Sequence, residues 1–316
     1  MASVVYNRRY DIGLLGLERL HPFDTHKHSR AWKRLRATCG RELLRKTVCP
    51  KRPVRRDELL AIHSAAYLDR LRDSAYLAAA LELPPIRFLP WRLLDWCVLR
   101  AMRWSTMGTV LAAREAIRDG LAVNLSGGYH HAKPSGGEGF CIYSDIALAI
   151  HTLRSEGALD DNDRVAYVDL DAHQGNGVCH CFLDDRRVFI FDMYNGDIYP
   201  SYDRVARQRI DCDLPLASNC TQAEYFRTLE AELPGFLDSV GRSRRVGLAI
   251  YNAGSDVFQG DALGGLNLTA EGVLRRDQFV IDELRRRGFP TVMLPSGGYS
   301  AESYKLLADS VQVLLA

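Results

Sequence analysis

Residues 164–177 read RVAYVDLDAHQGNG. An apolar run, Val165 to Val168, enters a segment in which Asp169, Asp171 and His173 alternate with Leu170 and Ala172. A strand sends successive side chains to opposite faces, so the three polar residues share one side as the strand passes into its loop. Four further runs have the same form: LAVNL from 121, RVFIFDM from 187, RVGLAIYN from 245 and PTVMLPS from 290. Strands apolar on both faces alternate here with helical segments such as Thr221 to Val240 and Thr269 to Arg287. That pattern predicts an α/β fold, a three-layer α/β/α sandwich with a mainly parallel central sheet.

The runs open into SGGYHHA, DAHQGNG, the segment Asp192 to Asn195, NAGSDVFQGD and SGGYS. Open parallel sheets bind ligands at the carboxyl ends of their strands, so these five loops are expected to converge on one rim. Upstream of residue 121 the chain reads as mostly helical. Trp91 to Asp119 is apolar enough for a helix packed on more than one side, with Gly120 as its stop, and Lys51 to Arg56 reads as a solvated loop.

No repeat or Pro/Gly/Ser-rich linker divides the sequence, so residues 1–316 are expected to form a single domain, and 47% hydrophobic residues suffice for a large core. Basic and acidic residues nearly balance, 41 against 39, which is unlike the strongly basic balance of nucleic-acid binders. No direct nucleic-acid partner is expected. Neither a leader pattern nor a long uncharged apolar stretch occurs, which predicts a protein without a membrane span, cytoplasmic, or nuclear in a eukaryote. Eight scattered cysteines without a CxxC pair suit a reducing compartment. Cys179-His180-Cys181 lacks a second ligand pair and reads as a helix segment rather than a zinc site.

The strand-end triplet carries the chemistry. Buried polar groups on an apolar strand are costly unless paired or metal-bound. Asp171 and His173, joined by Asp256 after the strand RVGLAIYN, make a three-ligand set of the kind that leaves a catalytic zinc one open position. His130 and His131 end another buried strand, and amide hydrolysis needs both a base for water and an acid for the leaving amine. Asp169 remains to orient one imidazole and Asn176 the other. Tyr299, among glycines, is placed to donate to a developing oxyanion.

GGYHHA, DLDAHQGNG, AGSDVFQGD and SGGY, in this order and spacing, resemble the histone deacetylase family over essentially the whole chain. The resemblance implies a zinc-dependent hydrolase that removes an acyl group, acetyl or a longer fatty acyl, from the side-chain amine of lysine in a protein or peptide. It implies one zinc per chain on Asp171, His173 and Asp256, and is compatible with a structural potassium. His131 becomes the general base and later acid, and His130 its electrostatic partner held by Asp169. Gly139, Phe140 and Tyr199 become tunnel walls, Leu263 the rim, and Arg30 the basic residue at the foot of the pocket.

Asn176, where many members carry aspartate, and His173-Gln174-Gly175 resemble the class IV branch, and that branch implies a preference for longer acyl groups. A two-manganese ureohydrolase is disfavoured because Gly175 stands where a bridging aspartate is needed. Acetylpolyamine hydrolysis is the nearer alternative, with Glu18, Asp24, Glu138 and Asp203 as possible acids of the mouth. A scaffold that has lost catalysis is disfavoured by the complete residue set.

Overall fold

The computed structural model describes residues 2–14 and 16–315, so Met1, Leu15 and Ala316, including both extreme ends of the expected 1–316 domain, lie outside the described residues. The five apolar runs form five strands: β3 (Leu121–Asn124), β4 (Arg164–Asp169), β5 (Val188–Asn195), β7 (Val246–Asn252) and β8 (Thr291–Leu294). Three strands not foreseen join them: β1 (Ser3–Val5), β2 (Thr47–Val48) and β6 (Cys212–Leu216). The sheet order is β2-β1-β3-β8-β7-β4-β5-β6, and every pairing is parallel.

Period-two alternation builds the three layers. Val165, Tyr167, Leu248, Ile250 and Val292 face one core, shared with Val110 and Ala113 of the helix Arg100–Asp119 and with Ile146 and Ile150 of Asp145–Ser155. Ala166, Val168, Ala249, Tyr251 and Met293 face the other. There they meet Leu35 of Lys27–Arg45, Leu229 of Gln222–Gly241, Val280 of Ala270–Arg286 and Val311 of Ser303–Leu315.

The two foreseen helices on that second face begin at threonine caps. Thr221 forms a capping box with Glu224, and the Thr269 hydroxyl accepts the Gly272 N–H. The segment expected as one helix, Trp91 to Asp119, is a short helix (Trp91–Leu94), a π-helical turn (Asp95–Leu99) and the long helix Arg100–Asp119, ended by Gly120 at φ 89°. The expected loop Lys51 to Arg56 stops one residue early, because Arg56 opens a four-residue helix. Cys179-His180-Cys181 lies on the helix Asn176–Cys181, with Cys179 buried and His180 turned to Asp203 at 3.0 Å.

Candidate active site

The loops after β3, β4, β7 and β8 meet over the central strands. Asp171, His173 and Asp256 are buried, and their donor atoms all lie within 4.8 Å of one another. Among the described residues they are the one such group of three or more His, Cys, Asp or Glu. His173 Nδ1 lies 3.1 Å from Asp171 Oδ1 and 2.9 Å from Asp256 Oδ2. Backbone groups aim the carboxylates: Gly297 N–H donates to Asp171 Oδ2 at 2.7 Å, and Ala172 N–H to Asp256 Oδ1 at 2.9 Å.

A Cβ on Gly297 would fall 2.4 Å from Asp256 Oδ2 and 2.6 Å from Asp171 Oδ2, so the glycine backbone closes over the carboxylates where no side chain fits. Burial raises Asp256 to about 7, aided by Asp171; burial opposes a charged His173, but bonds to both carboxylates hold it at about 10. A metal ion bound here would displace the proton from His173 and take the same three donors, and this buried oxygen-oxygen-nitrogen set fits zinc.

The two histidines lie in one shell with ring centroids 4.1 Å apart, yet their partners differ. His130 Nδ1 meets the Asp169 carboxylate at 2.9 Å, whereas His131 Nδ1 meets the Asn176 amide oxygen at 2.8 Å. Asp169 is itself pinned by Tyr167 Oη and by Asn252 Nδ2. Burial disfavours charge on both rings. At His130 the Asp169 and Asp171 carboxylates outweigh burial and raise it to about 9. At His131 burial, with the charges of His130 and His173, drives it well below the ordinary value. One imidazole is thus poised as a cation and its neighbour as a neutral base.

Tyr299 stands with its ring 5.8 Å from Phe140 and 6.0 Å from His173. Burial, with the charges of Asp171 and Asp256, raises its phenol well above the ordinary value, which keeps it a proton donor. Tyr199 packs edge-on against His131 at 5.0 Å, and Gly139 lies so close that an added Cβ would sit 2.5 Å from the His131 ring. Of the expected walls, Gly139 and Tyr199 thus lie against His131, and Phe140 lies against Tyr299. Leu263 is 38% exposed on the neighbouring loop.

Beyond these residues lies a cavity of ≈ 90 Å³. Its walls are largely apolar, among them Leu14, Leu81, Leu83, Ile86, Val98 and Met102, and it reaches His130, His131 and Tyr299. Its polar lining includes Glu18, His21, His28 and Ser126.

Arg30 does not stand at this foot. It pairs with Asp24 at 2.5 Å and lies over the Tyr304 ring, exposed on the outer side of its helix. On this helix the buried cation is Lys27, one turn earlier, whose Nζ donates to the carbonyls of Ser296 at 2.6 Å and Gly297 at 3.1 Å. The four acids expected at a mouth are occupied as well: Asp24 by Arg30, Glu18 by backbone N–H groups of Leu14 and Gly16, and Glu138 and Asp203 by Lys133.

The family model described as Histone deacetylase domain matches residues 21–315. Histone deacetylase 2 of Arabidopsis thaliana is 40% identical over 312 residues, covering 99% of this chain and 78% of that protein. Histone deacetylase 1 of Homo sapiens is 31% identical over 217 residues, covering 66% of this chain and 41% of that protein. In fold, the crystal structure of the HDA15 HD domain superposes with a TM-score of 0.76 at 20% identity, covering 99% of this chain and 89% of that one.

Proposed function

Because the chain belongs to the histone deacetylase family, we propose that it acts as a single catalytic domain, a class IV-like, zinc-dependent lysine deacylase whose pocket takes acyl groups longer than acetyl. The observation that carries the chemistry is the pair of imidazoles with unlike partners beside the Asp171, His173 and Asp256 donors. One zinc per chain, held by those three, would supply Lewis acidity to the scissile carbonyl and acidify the attacking water.

His131, neutral, takes the proton from the water at Nε2 and returns it to the departing lysine amine. His130, held cationic by Asp169, stabilises the negative charge that develops between them. Tyr299 donates its phenolic proton in a hydrogen bond to the carbonyl oxygen as it becomes an oxyanion. Gly139, Phe140 and Tyr199 enclose the lysine stem, and Leu263 meets the carrier at the rim.

The apolar cavity supports the chain-length reading. Each methylene moved from water into such walls contributes about 0.8 kcal/mol, so an octanoyl group gains several kcal/mol over acetyl if it fits. The test is kcat/KM for acetyl-, octanoyl- and myristoyl-lysine in one peptide sequence with zinc present. Octanoyl or myristoyl is expected to lead. Acetyl as the best of the three sinks the long-chain reading and leaves deacylation intact.

A further inference from the structure

Behind Asn176 lies a cluster that the reaction described above does not use. The Asn176 side chain is fully buried, and its amide nitrogen donates to Glu138 Oε1 at 2.6 Å and to Asp203 Oδ2 at 3.2 Å. Lys133 Nζ closes the group, 2.9 Å from Glu138 and 3.0 Å from Asp203, and His180 Nε2 meets Asp203 at 3.0 Å. One loop and the starts of two helices thus meet on a single amide, one hydrogen bond removed from the histidine at the reaction centre.

An amide has two ends of opposite character, an acceptor oxygen and a donor nitrogen. Turned over, the Asn176 amide would set its oxygen against two carboxylates and its nitrogen against His131. The carboxylates forbid that orientation electrostatically. With the oxygen fixed toward His131, Nδ1 must carry the ring proton, since a bare Nδ1 would face a lone pair. Nε2 is then bare, which is the state a general base requires. We propose that Glu138 and Asp203 are positioning residues for His131, setting its tautomer through Asn176.

This role accounts for a difference within the site. A carboxylate in direct contact, as at His130, fixes a tautomer and also stabilises the ring as a cation. An amide fixes the tautomer and leaves the ring neutral. Asn176 with two carboxylates behind it therefore delivers orientation without the charge. It also gives Lys133 a part: it holds the two like-charged carboxylates close enough to share one amide.

The role rests on His131 being the acid/base group of the proposed deacylation, and the experiment separates the two. Glu138→Gln, Asp203→Asn and the double variant are assayed on an acyl-lysine peptide with zinc loaded, beside His131→Ala. Glu138, part-exposed, is the variant best tolerated by the fold. The double variant is expected to lose about 10-fold or more in kcat, toward the ~10²-fold lower end of general acid/base catalysis, with KM little changed. Adding Asn176→Asp to the double variant is expected to restore much of the loss, because a carboxylate accepts from Nδ1 in either orientation.

Nitrogen NMR of histidine-labelled protein, with the His131 signals identified by their loss in His131→Ala, is expected to show one neutral tautomer protonated at Nδ1. In the double variant the second tautomer is expected to appear. An inactive His131→Ala beside a double variant with unchanged kcat and tautomer overturns the positioning role alone. An active His131→Ala overturns the acid/base assignment, and the positioning role with it.

Discussion

The Asp261 carboxylate accepts the backbone N–H of Tyr299 at 2.6 Å, and with the same oxygen that of Ser300 at 3.0 Å. Its other oxygen accepts from Leu263 at 3.0 Å and Gly264 at 3.3 Å. One side chain therefore clamps the expected rim loop to the loop that bears the phenol. Asp261→Ala is expected to lower kcat by about 10- to 100-fold, below the full ~10²- to 10³-fold value of an oxyanion donor because Tyr299 itself remains. Asp261→Asn keeps an acceptor for one pair and should fall between. Steady-state assays with zinc content measured in parallel check this, and wild-type kcat in Asp261→Ala refutes the clamp.

Asp256 supplies one of three donors, and its removal leaves too few to hold the ion. Asp256→Ala is expected to bind no zinc by elemental analysis and to lose at least ~10²- to 10³-fold in activity, the rate equivalent of several kcal/mol of Lewis-acid stabilisation. Wild-type protein should gain about 2.7 kcal/mol of stability when free zinc is 100-fold above Kd, seen as a raised Tm that Asp256→Ala does not show. Full zinc occupancy in the variant, or two tightly held ions in the parent, contradicts the three-donor site.

The unlike partners of the two imidazoles predict unlike losses. His131→Ala should cost ~10²- to 10⁴-fold in kcat, since both proton transfers pass through that ring. His130→Ala should cost less, because charge stabilisation is lost but the proton path remains. Equal losses with zinc retained would assign the transfer to neither ring in particular.

Acid lability is predicted at a site away from the reaction. His63 Nδ1 lies 3.0 Å from the Lys133 carbonyl, and its Nε2 accepts the Ser144 N–H at 3.0 Å. Protonation breaks the second bond, and burial lowers His63 to about 4. The unfolded chain takes up its proton near pH 6.5 and the folded chain only near 4, so stability is full above 6.5 and falls as pH drops through that window. The loss is about 3 kcal/mol from this group alone. Denaturant melts at pH 7 and pH 4.5 should show a smaller difference in His63→Asn than in the parent. Equal differences exclude His63 as the source.

Much of this was legible in the sequence because the apolar runs are long and end in unusual polar residues. β3, β4, β5, β7 and β8 bury both faces and so could not be mistaken for surface segments. The other three strands carry weak signals: β1 has three residues, β2 two, and β6 contains Pro215. Periodicity needs more length than that.

Strand alternation made Asp169, Asp171 and His173 legible, whereas Asp256 was read from its place after the strand RVGLAIYN and Asn176 from its place in the loop after His173. Lys27 was not legible, because a buried lysine is rare and nothing in HPFDTHKHSR shows which basic residue turns inward. Arg30 sits only one turn further on the same helix, and that turn moves it from the strand ends to the Asp24 and Tyr304 surface. Glu138 and Asp203 were visible as acids, but their meeting at Asn176 joins residues 38 and 27 positions away, which no local pattern encodes.

The sheet ends on one side in the two-residue β2 and on the other in β6, where Pro215 withholds an N–H. An open all-parallel sheet of eight strands must expose two borders, and it forms slowly because its pairings are distant in sequence. Both borders offer an incoming chain few groups to pair with. Self-association by strand addition is thereby discouraged during the period when folding is incomplete and the remaining helices have not yet docked.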